Sequence, residues 1–262
     1  MSDGSLLEPI EGEFEGADFG DDRLLRRLLI LAGALNEAPA KSLSEASKTV
    51  AAREGAYRFV ENPKVTLEAL LAPHRQVTAQ RCRQVGSVYV VSDTSEFTFS
   101  GEVRARTLGR IQGSRRGFLG HVALAIGATG DRRPLGVLGI QTIVRDEQRK
   151  SHANTRQTRL DPKRESLRWG EMVETTQSAL GDGVKAIHVM DREADIFELL
   201  AQMISRGRRF VVRSGQNRTV GESEKLVDAV INAPVMLERD VTLSAVTRQG
   251  HGATSRQDHG AR

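Results

Sequence analysis

A single cysteine, Cys82, stands in 262 residues, so no intrachain disulfide can form and the fold must be held by packing. That usage fits a reducing compartment. No segment approaches the roughly 20 consecutive apolar residues that a membrane-spanning helix needs, so no membrane partner is expected. Residues 1–18 are acidic and Gly-rich without an apolar centre, which is not the pattern of a secretory signal. The chain also has no glycine-rich phosphate loop, no Cys/His zinc spacing and no internal repeat.

What is present is enough apolar content, 39%, for a packed core, and a net charge of +4. The distribution of charge says more than its sum. Acidic residues crowd the start (Asp3, Glu8, Glu11, Glu13, Glu15), while arginines recur in compact groups such as Arg23/Arg26/Arg27, Arg104/Arg106/Arg110 and Arg206/Arg208/Arg209. Such groups suit a polyanionic partner and are equally compatible with a solvated surface.

Leu24, Leu28, Leu31 and Leu35 recur at helical spacing and predict an amphipathic helix from Arg23 to Leu35, with Arg23, Arg26 and Arg27 off the apolar stripe. A second helical run covers Ser44–Val60. Thr66 is the expected N-cap of a third helix reaching about Gln84, bent or restarted near Pro73. From Ser87 the periodicity changes. Val88–Val91 reads as a buried strand ending at Ser92-Asp93-Thr94, with Glu96–Ser100 as a return strand and 101–117 as a basic loop. Strands are expected over His121–Ala128 and Pro134–Val144, a surface loop over 146–164 and a helix over Ser166–Leu180. A strand over Lys185–Met190, a helix over Ile196–Ser205 and a strand over Phe210–Arg213 complete a mixed α/β sheet flanked by helices.

Asp93 and Asp191 each follow an apolar strand. Carboxylates at the ends of adjacent strands can converge on hard divalent cations such as Mg²⁺ or Mn²⁺, and such metals serve phosphodiester chemistry. Either aspartate alone also fits a turn residue or helix cap. In Asp191-Arg192-Glu193-Ala194-Asp195, Asp195 is placed to cap the next helix and Glu193 to pair with Arg192. Tyr57 and Phe59 are read as helix packing on their spacing, since aromatics two residues apart cannot share one helix face.

Asp191-Arg192-Glu193-Ala194-Asp195-Ile196 followed by Arg209–Ser214 resembles the second-aspartate region of the IS4 family of DDE transposases. Ser92-Asp93-Thr94-Ser95 is similar to that family's first-aspartate motif, and Leu108–Gln112, Ser114–Gly117 and His121 to the segment after it. Phe19–Arg23, and Glu54-Gly55-Ala56-Tyr57-Arg58-Phe59 with Asn62-Pro63, resemble its end-binding domain. The resemblance spans about Asp18 to Ser214. It implies cut-and-paste transposition, in which the chain binds the terminal repeats of a mobile element and cleaves and joins DNA strands by metal-assisted phosphoryl transfer. Asp93 and Asp191 are then two of three catalytic, metal-binding carboxylates for Mg²⁺ (or Mn²⁺), and Arg23, Arg27 and Arg58 contact DNA. The partners implied are double-stranded transposon ends and target DNA, with a homodimer in the full-length form and a cytoplasmic, nucleoid-associated location in a bacterium.

The organisation expected is a flexible lead (1–17), a helical DNA-end-binding domain (18–65), part of a ribonuclease-H-like catalytic core (66–214), and the start of an inserted subdomain with an irregular tail (215–262). In that last part a helix over Glu224–Asn232 and a strand over Val241–Val246 are expected. The family's third carboxylate, on a helix with Tyr, Arg and Lys, has no counterpart after Ser214, so truncation and loss of strand cleavage are expected. The alternative is a non-catalytic DNA-binding fragment or inhibitor of transposition.

Overall fold

In the computed structural model, residues 9–99, 108–112, 115–145 and 164–238 are described. The chain divides into two compact units, Met1–Arg213 and Ser214–Arg262.

The first unit opens with a helical head. Helix α1 (Asp22–Glu37) starts where the Asp21 carboxylate accepts the Arg23 N–H at 2.9 Å. It buries Leu28 and Leu31 against Phe19, Ala56 and Phe59, with Phe19 meeting Phe59 edge-on at 5.8 Å. The helical run expected over Ser44–Val60 is two helices, α2 (Leu43–Ala46) and α3 (Val50–Val60). Two start signals explain the break: Ser42 and Glu45 form a capping box, and the Thr49 hydroxyl accepts the Ala52 N–H to begin α3 afresh.

Helix α4 (Leu67–Val85) is capped by Thr66 as expected, runs unbroken through Pro73 and ends at Gly86, whose φ of +76° suits glycine. Proline removes one backbone hydrogen bond there, and the burial of its ring holds the helix through that position. Ala69 and Leu70 pack into the head, whereas Ala79 and Cys82 pack under the sheet, so one helix serves both cores.

The expectation of a flexible lead is corrected for residues 9–17. Glu13 is buried and pairs with Arg81, only 4% exposed, and with His74 Nδ1 at 2.7 Å. His74 Nε2 accepts the Val137 N–H at 2.9 Å, so the imidazole proton sits on Nδ1 and is donated to Glu13. Arg81 also donates to the Leu135 carbonyl at 3.1 Å. A carboxylate from the lead thus joins α4 to the sheet.

The sheet comprises β1 (Ser87–Phe99), β2 (Gly109–Gln112), β3 (Arg115–Gly127), β4 (Pro134–Ile143), β5 (Lys185–Met190) and β6 (Arg209–Val212). Its order is β2-β3-β1-β5-β6, with β4 also on β3. β1, β3 and β4 are antiparallel, and β5 and β6 run parallel to β1. A three-stranded meander extended by two parallel crossover strands is the ribonuclease-H-like arrangement. Val88, Val90, Ala123 and Ala125 pack on α4 and on α5 (Leu167–Leu180), while Met190, Phe210 and Val212 pack on α5 and on α6 (Phe197–Ser205).

Two strand expectations are corrected. The return strand expected over Glu96–Ser100 is, over Glu96–Phe99, the continuation of β1, held by Phe97 directly opposite Phe118 with rings 5.0 Å apart and by Phe99 stacking on the same ring, and Ser100 lies outside the described residues. Residues 109–112, expected within a loop, are β2. The second unit holds β7 (Thr219–Val220), β8 (Glu224–Lys225) and α7 (Leu226–Asn232). The loop expected over 146–164 (except Arg164), residues 101–107 and 113–114 of the basic loop, and the strand Val241–Val246 lie outside the described residues.

Candidate functional site

β1 and β5 pair in parallel from Ser87 opposite Lys185 to Ser92 opposite Met190. Asp93 and Asp191 are each the residue after that last pair, so the register sets them side by side on the sheet face opposite Val88, Val90 and Ser92. Asp93 is exposed. It does not sit at the exit of its own strand, as expected, but at the step where its shorter partner ends. Glu96, three residues along β1, falls on the other face.

Asp191 is half-buried and accepts the Glu193 N–H through Oδ1 at 2.8 Å, capping a single 3-10 turn over Arg192–Ala194. Oδ2 takes no part in that bond, so the cap does not preclude a ligand role. Two neighbouring expectations are corrected. The N-cap of α6 is Ile196 rather than Asp195, since the 3-10 turn consumes the intervening residues. Glu193 pairs with Arg168 at 2.5 Å rather than with Arg192, because Arg168 reaches it from α5.

Behind the aspartates, Thr94, His121 and Glu193 of their motifs join a polar group around Arg168 and Trp169, which motif reading passed over. Arg168 donates through Nε to Thr94 Oγ1 at 3.1 Å, through Nη1 to the Glu165 carbonyl at 2.8 Å and through Nη2 to Glu193. Its guanidinium also lies 5.3 Å from the centre of the Trp169 ring. Thr94 Oγ1 is 2.9 Å from His121 Nδ1, and the His121 ring meets Trp169 edge-on at 4.5 Å. Burial, and then the Arg168 charge, push the His121 imidazole down to about 4, against the opposing pull of the Asp93 backbone, Asp93 and Asp191. His121 is therefore neutral at pH 7. A signal for Arg168 was present in the sequence: it is a charge on the buried stripe of α5 that Met172, Thr176 and Leu180 mark.

Among the described residues no group of three or more His, Cys, Asp or Glu converges as a metal cage. Two carboxylates with oxygen-only chemistry, one exposed and one with a free oxygen, fit a Mg²⁺-type ion. Such an ion keeps most of its waters and takes one or two protein carboxylates plus substrate phosphates.

The three arginines expected to contact DNA all lie on the head. Arg23 is exposed, and Arg58 is exposed with a loose 3.4 Å contact to Glu54. Arg27 is half-buried because its guanidinium lies across α3 at Gly55, where an added Cβ would approach Arg27 Cζ to 2.6 Å. Gly55 and Arg58 are one helical turn apart, so α3 presents Arg58 beside the crossing Arg27. The packing expected of Tyr57 and Phe59 holds for Phe59 alone. Tyr57 is 49% exposed, as an i, i+2 pair on a helix requires.

Fold and site together define a ribonuclease-H-like sheet with a paired-aspartate centre, entered through a basic helical head. Residues 9–65 match the family described as transposase DNA-binding. Among solved structures the chain is similar to a piggyBac transposase synaptic complex with hairpin DNA, at 10% identity and a TM-score of 0.36, over 83% of this chain and 51% of that one. It is also similar to the Mos1 strand transfer complex, at 11% identity and a TM-score of 0.26, over 71% of this chain and 57% of that one. The chain thus spans little more than half the length of either. No helix among the described residues is long and apolar enough to cross a membrane.

Proposed function

We propose that this chain acts in DNA transposition of the IS4 type, its head binding the terminal repeats of a mobile element and its Asp93/Asp191 pair serving strand cleavage and joining. The reading rests on one juxtaposition: two aspartates in neighbouring register positions of a ribonuclease-H-like sheet, in a chain whose residues 9–65 match a transposase DNA-binding family. Arg23, Arg27 and Arg58 hold DNA phosphates, and neutral His121 adds no positive charge to compete with a cation at the carboxylates. A divalent ion, Mg²⁺ or Mn²⁺, would be held by Asp93 and Asp191 and would supply charge stabilisation for phosphoryl transfer at DNA. The partner is double-stranded DNA, and two ends are paired by a homodimer.

A second reading, end binding without cleavage, is favoured by the two-carboxylate count among the described residues. One experiment addresses both. The chain is tested by gel shift on duplexes of the inverted repeats that flank its own gene, and by nicking of a plasmid bearing them with Mg²⁺. Preference for repeats over scrambled DNA supports the transposition reading, and its absence overturns it. Metal-dependent nicking that Asp93→Asn abolishes supports the enzyme, whereas repeat binding without nicking supports the end-binding form.

A further inference from the structure

We propose that Arg168 is the positioning residue that holds Asp93 and Asp191 in register, an inference that rests on the metal-site reading above. Its three donors reach three different segments: Thr94, one residue past Asp93; the Glu165 carbonyl at the start of α5; and Glu193, two residues past Asp191. Glu193 in turn donates its N–H to Asp191 Oδ1 at 2.8 Å. One buried planar fork thus connects the residue after the first aspartate to the turn that the second aspartate caps. That connection is needed because the β1–β5 ladder stops at Ser92 opposite Met190. Beyond that step no backbone pairing between these two strands fixes the separation of the two carboxylates, and Arg168 takes over where the hydrogen-bond ladder ends.

Arg168 is 9% exposed, so its place is set by these bonds and by Trp169 rather than by solvent. A lysine offers a point charge and cannot reproduce three divergent planar donors. Because Arg168 faces away from the carboxylate face, it acts through Thr94 and Glu193 and touches no ligand itself.

The role makes a prediction opposite in sign to simple electrostatics. Removing a positive charge near two carboxylates should tighten cation binding. Removing a positioning group should weaken it, and loss of outer-shell partners of metal ligands weakens affinity by about 10- to 100-fold. The probe is Tb³⁺, an oxygen-seeking ion whose luminescence is sensitised by the chain's only tryptophan, Trp169, packed in this group. Titrations of the full chain give the Kd, and thermal melts of the same samples report folding.

For Arg168→Ala and Arg168→Lys we expect a Kd raised about tenfold or more, measured well below each melting midpoint. Thr94→Val, which changes no charge, should move in the same direction and decides the matter if the arginine variants do not fold. A Kd unchanged or lowered in folded Arg168→Ala, or unchanged in Thr94→Val where Arg168→Ala does not fold, overturns the positioning role and leaves the metal site standing. No Tb³⁺ binding by the unaltered chain, or equal binding by Asp93→Asn and Asp191→Asn, overturns the site reading and this inference with it.

Discussion

At the scale of single residues, Gly55 and His188 carry the sharpest consequences. Gly55 lies under Arg27, and the atoms an added Cβ would meet are the end of a flexible side chain rather than backbone. Gly55→Ala should therefore displace Arg27 without unfolding the head. Alanine inside a helix is favoured over glycine by about 0.5–1 kcal/mol, so the melting midpoint should hold or rise while DNA affinity falls. A variant with unchanged affinity for DNA would show that the Arg27 placement is irrelevant to binding. His188 is 1% exposed, and neither ring nitrogen has a partner among the described residues. Burial, aided by Arg208, holds it down to about 4, as burial does for His121. A depressed imidazole binds fewer protons in the folded chain than in the unfolded one. Stability is therefore complete above about pH 6.5 and is lost as pH falls toward 4, by about 1.4 kcal/mol per pH unit for each histidine. His188→Leu removes one of these two contributions and sacrifices no hydrogen bond. Denaturant titrations from about pH 7 to pH 5 should show its acid-side slope flattened by about that amount. An unaltered slope would exclude His188 as a source.

Between elements, the junction of residues 9–17, α4 and β4 is the most exposed to mutation. Glu13 neutralises Arg81 inside the protein, so Glu13→Ala leaves a guanidinium with 4% exposure without its carboxylate and should destabilise by roughly 3–5 kcal/mol. Urea unfolding measures this, and a loss within about 0.5 kcal/mol, as for an ordinary surface position, would show the pair to be dispensable. Nothing in the sequence announced this junction, because Glu13 and Arg81 are 68 positions apart and the lead has no helical or strand period. The legible elements were those whose signal is local: the leucine stripe of α1, the Thr66 cap, the apolar run of β5. The misread ones turned on competition. Thr49 restarts a helix that the apolar spacing alone would continue, and Phe97 and Phe99 extend β1 because a partner aromatic on β3 stacks with them. The same distinction holds at the site. Asp93 and Asp191 are readable from strand and motif, while Arg168 shows in the sequence only as a charge on the apolar stripe of α5, and its partners Thr94 and Glu193 show only once α5 is laid against the sheet.

For the molecule as a whole, the proposed function gives the head and the sheet different work, a division that charge substitutions test. The chain carries a net charge of +4, and its three candidate phosphate contacts, Arg23, Arg27 and Arg58, sit on α1 and α3. Each phosphate contact contributes about 0.9 to the slope of log affinity against log salt through counterion release. Replacing all three arginines with glutamine should lower that slope by nearly 3 and weaken binding at low salt, with little change in melting midpoint for Arg23 and Arg58, which are exposed. Asp93→Asn should instead leave the slope unchanged and DNA affinity equal or higher, since it removes a negative charge from the face proposed to receive phosphate. Binding isotherms on one end duplex across a salt series measure both variants together. If the arginine triple variant kept the parent slope, the head would not be the phosphate-gripping surface. If Asp93→Asn lost affinity, the aspartate would take part in recognition, and the division between a gripping head and a reacting sheet would fail.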